Sequence, residues 1–261
     1  MSNYSITSLY SGSKGNSVLI ETKNAKILID AGKSARALCT ALNGIGRSID
    51  EIDAIFITHE HSDHINALEV LLKKHPIPVH AVDISAKKMI QKGLSLHKEL
   101  IVCHTPLFSV EIKDMCISSF PTPHDSDFSV GYRIEITSEN GSDFIGYATD
   151  IGYVTDEIKK GLSGCESIVV ESNHDEEMLM NGPYPYDLKL RIRSNRGHLS
   201  NNSCAELVSE LCMGGTKNIL LAHLSEENND PTLAYDEVWS AISDESVNLC
   251  VAEQDAAVKL I

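Results

Sequence analysis

A chain of 261 residues with 42% hydrophobic and 23% charged positions is long enough and apolar enough to bury a substantial core. Its 22 basic and 37 acidic residues leave a net charge of −15, which excludes indiscriminate nucleic-acid binding over the surface but not a local basic patch. No stretch approaches a membrane span, Met1 to Leu9 lacks a basic and apolar leader, and the seven cysteines are scattered without a Cys-x-x-Cys pair. Together these imply a cytoplasmic protein that keeps small buried thiols in a reducing compartment.

Ser5–Leu9 and Ser17–Thr22 read as strands around a glycine-bearing turn, Ser11 to Asn16. That turn is no phosphate-loop fingerprint; it marks either a close backbone approach to a site or a simple hairpin. Lys26–Ile29 is a third strand, ending in Asp30-Ala31-Gly32. An acid at that position either orients a neighbouring ligand loop or caps the helix that follows, and the first role is favoured. Helical spacing predicts Ser34–Leu42 as a helix, stopped by Gly44 and Gly46.

The apolar run Ile55-Phe56-Ile57 then ends abruptly in Thr58-His59-Glu60-His61-Ser62-Asp63-His64. Alternation in extended backbone points His59 and His61 the same way, so both can address one metal ion. Asp63 and His64 follow as the chain turns into a helix and can reach a second. Imidazole with carboxylate and no thiolate suits zinc, manganese or iron at a hydrolytic centre.

Helices are predicted near Leu68–Leu72, Ser85–Gln91, Asp156–Leu162, Glu176–Met180, Asn202–Met213 and Leu233–Ile242. Strands are predicted at Pro78–Val82, Leu100–Cys103, Val110–Ile112, Ile117–Phe120, Tyr132–Ile136, Phe144–Ala148, Ser167–Glu171, Asn218–Ala222 and Val247–Val251. With neither a low-complexity linker nor a repeat, residues 1–261 read as a single α/β domain.

Three later strands repeat the pattern of an apolar run ending in a potential ligand: Phe120 leads to His124 and Asp125, Ala148 to Asp150, and Ala222 to His223. Taken alone, His124 or His223 would read as an ordinary polar residue. Beside the first motif, each reads as a ligand held rigidly at a sheet edge.

In order and spacing, His59-Glu60-His61-Ser62-Asp63-His64 followed by His124, Asp150 and His223 resembles the metallo-β-lactamase superfold across the whole chain. The resemblance implies an α/β fold, the αββα four-layer sandwich, with two divalent ions at one edge of the sheets. His59, His61 and His124 would hold one ion, Asp63, His64 and His223 the other, and Asp150 would bridge them. True β-lactamases of this fold generally lack this second-ion pattern, and flavodiiron proteins usually carry Glu where this chain has His61. The set matches glyoxalase-type thiolesterases and RNase Z-like nucleases.

The stretch between Asp150 and His223 separates those two. Gly197-His198-Leu199-Ser200-Asn201, with Glu171-Ser172-Asn173-His174-Asp175 and Ala222-His223-Leu224-Ser225, resembles the YycJ (WalJ) branch of RNase Z-like nucleases. That resemblance implies a bacterial cytoplasmic phosphodiesterase acting on DNA from a 5′ end. The residues lean the same way. Lys189, Arg191, Arg193 and Arg196 are the densest basic cluster in an acidic chain; if Leu188–Arg193 is a strand they alternate with Leu188, Leu190 and Ile192 as a basic face, and if it is a helix started near Pro185, Lys189, Arg193 and Arg196 share a face instead. They precede His198 and a helix start at Ser200-Asn201, a natural place for phosphate. His198 is then expected to contact the scissile phosphate or protonate the leaving oxygen, Asp63 to accept a proton or simply to ligate, and Asp30, Asp125 and His174 to support the ligands. The alternatives are a thiolester or lactone hydrolase with the same centre, and a non-catalytic metal-bound scaffold recruiting through its acidic surface.

Overall fold

The computed structural model describes residues 3–138 and 141–261; Met1 and Ser2, which begin the stretch read above as lacking a leader, lie outside them. Strands β1 (Tyr4–Tyr10), β2 (Ser17–Thr22) and β3 (Lys26–Ile29) form an antiparallel meander. Helix α1 (Ala35–Gly44) is capped by the Ser34 hydroxyl and leads to β4 (Ala54–Phe56). After the short helices α2 (Ser62–Ile65) and α3 (Leu68–Leu71) come β5 (Val79–Val82), α4 (Asp83–Gln91) and β6 (Ile101–His104). Strands β3 to β6 run parallel, so their carboxyl ends share one edge.

The second sheet starts as an antiparallel series, β7 (Ser109–Ile112), β8 (Met115–Thr122), β9 (Ser129–Ser138) and β10 (Gly141–Ala148). Helix α5 (Asp156–Leu162) crosses to β11 (Ser167–Glu171), and α6 (Glu176–Asn181), α7 (Tyr186–Ile192) and α8 (Asn201–Met213) cross to β12 (Asn218–Ala222). Helix α9 (Pro231–Ser240) leads to β13 (Asn248–Val251). β10 to β13 are parallel, and β14 (Val258–Lys259) returns to pair with β1. The sheet orders are β14-β1-β2-β3-β4-β5-β6 and β13-β12-β11-β10-β9-β8-β7.

Three apolar clusters fix the layers. Ile6, Ile20, Phe56, Tyr132, Tyr147 and Leu220 pack the sheets against each other. Leu38, Leu68 and Met89 seal the outer face of the first sheet under α1, α3 and α4, and Ile158, Leu207 and Val238 seal the second under α5, α8 and α9. This is the expected four-layer αββα arrangement. In α8, Cys204, Leu207, Val208 and Leu211 form the inward stripe, each burial of a leucine contributing about 1.5–3 kcal/mol.

The expected elements are present, with bounds shifted by a few residues. Leu188–Ile192 is helical, started at Pro185. The two-residue β14 is too short to leave a periodic signal in sequence. The seven cysteines are all free, and no helix of the described residues is long and apolar enough to cross a membrane.

Candidate metal centre

Both parallel runs end at the same edge of the sandwich, and the strand ends deliver their side chains into one cleft. Backbone conformation does the aiming. Asp30, Asp150 and His223, just past β3, β10 and β12, have φ of 62°, 58° and 58°. This left-handed geometry costs a residue with a Cβ about 1–2 kcal/mol and takes it out of the alternation of its strand. The strain is held because the backbone is tied: Asp30 N–H donates to Phe56 O, and the Ser11 hydroxyl accepts from His223 N–H at 2.7 Å.

The His59–His64 turn rests on neighbouring loops. Asn16 N–H donates to Asp63 O, Gly32 N–H to Asn16 O and Ala31 N–H to His64 O, at 2.8–2.9 Å. A Cβ at Gly32 would lie 1.6 Å from Asp63 O, so only glycine permits this approach. The Ser11–Asn16 turn is therefore a close backbone approach to the site. Glu60, between the two histidines, faces the other way and accepts from Asp127 N–H.

The histidine and aspartate donors converge as overlapping groups whose atoms lie within 4.8 Å of one another: His59, His61 and His124; Asp63, His64 and His223; and His59, His64 and Asp150. Asp150 faces both sides, with Oδ1 3.6 Å from His124 Nε2 and 3.5 Å from His223 Nε2, and Oδ2 3.4 Å from His64 Nε2.

Most of the imidazoles are tied at the outward nitrogen. Nδ1 of His64 meets Asp30 Oδ2 at 2.7 Å, Nδ1 of His124 meets Gly197 O at 3.0 Å, Nδ1 of His223 meets Glu171 Oε1 at 3.2 Å, and Nδ1 of His59 meets the Thr58 hydroxyl at 3.1 Å. Such outer partners fix the ring and tautomer of a metal-binding histidine. The inward atoms His59 Nε2, His223 Nε2 and Asp150 Oδ2 are buried with no hydrogen-bond partner. Buried polar atoms are rarely left so. This donor set of imidazole and carboxylate fits divalent metal ions.

The electrostatics agree. Burial lowers the His59 imidazole well below its ordinary value, helped by His64 beside it. For His64 and His223 burial acts the same way, but Asp63 and Asp30 around the first and Asp150 around the second outweigh it and raise both well above. Burial opposes ionisation of Asp150, yet His223, His64 and His59 hold its carboxyl well below the usual range. The carboxylates thus attract positive charge to these nitrogens, and metal ions would compete with protons for them.

Glu171 is the residue that sequence reasoning quoted but gave no role. It is fully buried at the end of β11, where its carboxylate accepts from Ile151 N–H and Leu199 N–H and meets Nδ1 of both His198 (2.8 Å) and His223. Burial pushes its carboxyl up, but His198 and His223 more than reverse this, to about 2. Its signal was available, since it is a strand-end acid like Asp30 and Asp150. His198 itself lines two cavities, one of about 180 Å³ that opens on His223 and Asp125, and one of about 510 Å³ along α8.

The basic residues diverge. Lys189 is buried, and its ammonium donates to the carbonyls of Met180 and Gly182 at the end of α6, so it is turned away from the cleft. Arg191 pairs with Asp125 at 2.5 Å, and the Asp125 Oδ1 sits 3.2 Å from His124 Nε2. Arg196 donates to the carbonyls of His124 and Ser126, and Arg193 lines the larger cavity. Asn201 is also committed inward, its amide joined to Ser172 and Asn229. Ser200 caps α8, and His174 is a buried ring in the wall of the larger cavity.

Known proteins are similar to this chain in sequence and in fold. A profile of the beta-lactamase superfamily domain matches residues 25–224. Exodeoxyribonuclease WalJ of Streptococcus pneumoniae is 38% identical over 238 residues, covering 89% of this chain and 85% of the relative. Exodeoxyribonuclease YycJ of Bacillus anthracis is 36% identical over 235 residues, covering 87% and 84%. The metallo-beta-lactamase fold protein YhfI from Bacillus subtilis superposes with a TM-score of 0.72 at 15% identity, over 99% of this chain and 100% of that one, a likeness of fold.

Proposed function

Because the chain belongs to the beta-lactamase superfamily, in the branch of the WalJ and YycJ proteins, we propose that it is a two-metal exonuclease hydrolysing DNA phosphodiesters from the 5′ end. It is a metal-dependent hydrolase of the nuclease type. In this reading residues 1–261 act as one hydrolase domain. His59, His61 and His124 would hold one ion and Asp63, His64 and His223 a second, with the Asp150 carboxylate available to both groups. Zinc or manganese suits these donors, and iron is also compatible. Two such ions, when bound, supply Lewis acidity for the attacking water and for charge on the phosphate oxygens.

The observation that carries the reading is His198. Its Nδ1 is spent on Glu171, which leaves Nε2 for substrate at the meeting point of the two cavities. A ring held that way can hydrogen-bond a scissile phosphate or give a proton to the departing oxygen. Asp63 serves the metal side instead. Despite burial, His64 and His223 keep its carboxyl well below the usual range, so it is ionised, which suits it to ligate a cation rather than to hold a proton from the attacking water. Ser200 and Arg193 face the strand, while Arg191 and Arg196 lie on the exposed flank beside His124. Asp125 and His174 line the walls, Asp30 stands behind His64, and Asn201 holds the start of α8 to Ser172 and Asn229.

The test is hydrolysis by the zinc- or manganese-loaded protein of DNA and RNA labelled at the 5′ or 3′ end. Progressive shortening of DNA from the 5′ end is expected. Turnover of thiolesters with no cleavage of either nucleic acid would overturn the reading.

A further inference from the structure

A separate groove of about 400 Å³ is lined by His124 and walled by Pro121, Pro123, Phe128, Tyr153 and Arg196. It shares Tyr153 with the cavity of about 510 Å³, so this ring stands between the two. Three segments are locked together to form it. Gly152 N–H donates to Pro123 O at 2.7 Å, and a Cβ at Gly152 would lie 2.3 Å from the Asn195 carbonyl, so only glycine lets the turn at 152–153 seat against 195–196. Arg196 Nε donates to His124 O and Nη2 to Ser126 O, which joins the third segment. A half-exposed tyrosine is ordinary on a surface, but Tyr153 is 47% exposed on a backbone tied from both sides. The Arg196 guanidinium meets no carboxylate among the described residues, and its Nη1 is uncommitted. Asp127, the one carboxylate in the lining, is already paired with Lys88 at 2.8 Å. The Ser126 hydroxyl, also in the lining, is buried with no hydrogen-bond partner, a state in which buried hydroxyls are rarely left.

We infer that this groove holds one nucleotide of a DNA strand, its base laid on the Tyr153 ring and its phosphodiester against Arg196, a conclusion that rests on the nuclease reading above. An exposed aromatic face accepts any base, because every base has a π-face of its own. One unpaired guanidinium matches one phosphodiester charge. A bare anion would leave the ring unused, and an apolar ligand would leave the guanidinium unused. The Ser126 hydroxyl then finds its partner on the nucleotide. A base inside a duplex has both faces covered by its neighbours, so the nucleotide belongs to a single strand or a frayed end. Because His124 lines the groove, that nucleotide lies beside the metal centre.

The experiment measures kcat/KM of the metal-loaded, full-length protein on single strands of one sequence that carry an abasic sugar at one position at a time near the cut end. At one position, removing the base is expected to lower kcat/KM about tenfold, the worth of one base stacked on an aromatic ring. Tyr153→Leu is expected to bring the ratio of intact to abasic strand at that position to about one. Tyr153→Phe, which keeps the ring, is expected to preserve it. A wild-type ratio near one at every position, a ratio undiminished in Tyr153→Leu, or one lost equally in Tyr153→Phe overturns the inference. Arg196→Gln is expected to reduce the slope of log K against log salt for strand binding by about 1, which loss of a loop tie alone would not do. An unchanged slope overturns the placement of the phosphate. If no strand is cut, the nuclease reading fails on its own. The groove is then decided by binding of strands that carry 2-aminopurine at one position at a time. Fluorescence quenching by the wild type that Tyr153→Leu removes supports it; no quenching, or quenching that Tyr153→Leu retains, overturns it.

Discussion

The first sheet delivers His59, His61, Asp63 and His64 from six consecutive positions, whereas the second delivers His124, Asp150 and His223 from three separate strand ends. The two edges are stabilised differently as a result. On the first, backbone bonds from Asn16, Ala31 and Gly32 clamp a single turn, with Asp30 and Thr58 beneath it. On the second, strand register sets the spacing, and one carboxylate, Glu171, ties His223, His198 and two backbone amides together. Local damage should therefore disorganise the first edge, and loss of one buried acid should loosen the second.

The largest effect is expected from a ligand on the first edge. In His61→Ala, metal content measured by atomic emission should drop and hydrolysis should fall to background, a loss well beyond the ~100-fold attached to outer partners. A chelator should do the same to the wild type, reversibly on returning metal. Retention of full activity in His61→Ala would dissolve the contrast between the edges.

Next comes Gly32→Ala. The added methyl meets the Asp63 carbonyl and the Asn16 amide, both backbone atoms that no rotamer change can move. Urea unfolding should show a loss of more than about 3 kcal/mol, the range of strained or overpacked backbone sites. A loss below 1 kcal/mol would mean that the turn does not need this clamp.

His198→Ala separates chemistry from metal binding on the second edge. Turnover should fall about 10²-fold with metal stoichiometry unchanged, as for loss of one acid–base group. Asp30→Asn and Glu171→Gln then compare the edges directly. Each removes the carboxylate behind one inner histidine, and each should weaken metal affinity about 10–100-fold by competitive chelation. Only Glu171→Gln should also lower turnover at saturating metal, because only Glu171 holds His198.

The first edge was legible because its ligands are neighbours in sequence, and alternation sorts His59 and His61 from Glu60 even though the strand itself ends at Phe56. The strand ends of the second edge were legible by the same pattern, repeated at His124, Asp150 and His223. What stayed hidden was conformational. Nothing in an Asp or His announces the left-handed φ of Asp30, Asp150 and His223, which the surrounding backbone imposes. The strand-end position of Glu171 was legible, but its role was not, because its partners, His198 and His223, lie on other elements.

The run Lys189, Arg191, Arg193, Arg196 shows the same limit, since charge spacing predicts a face but not which neighbouring carbonyls compete for it. The ammonium of Lys189 completes the carbonyls of Met180 and Gly182, so its contribution is to folding. Lys189→Met keeps the stem and removes those bonds. It should cost about 1–2 kcal/mol in urea unfolding and leave the salt dependence of DNA binding unchanged. Arg193→Gln should barely alter stability yet reduce the slope of log K against log salt by about 1, the signature of one lost phosphate contact. If Lys189→Met changed the slope and Arg193→Gln did not, the assignment of inward and outward charges along α7 would be reversed.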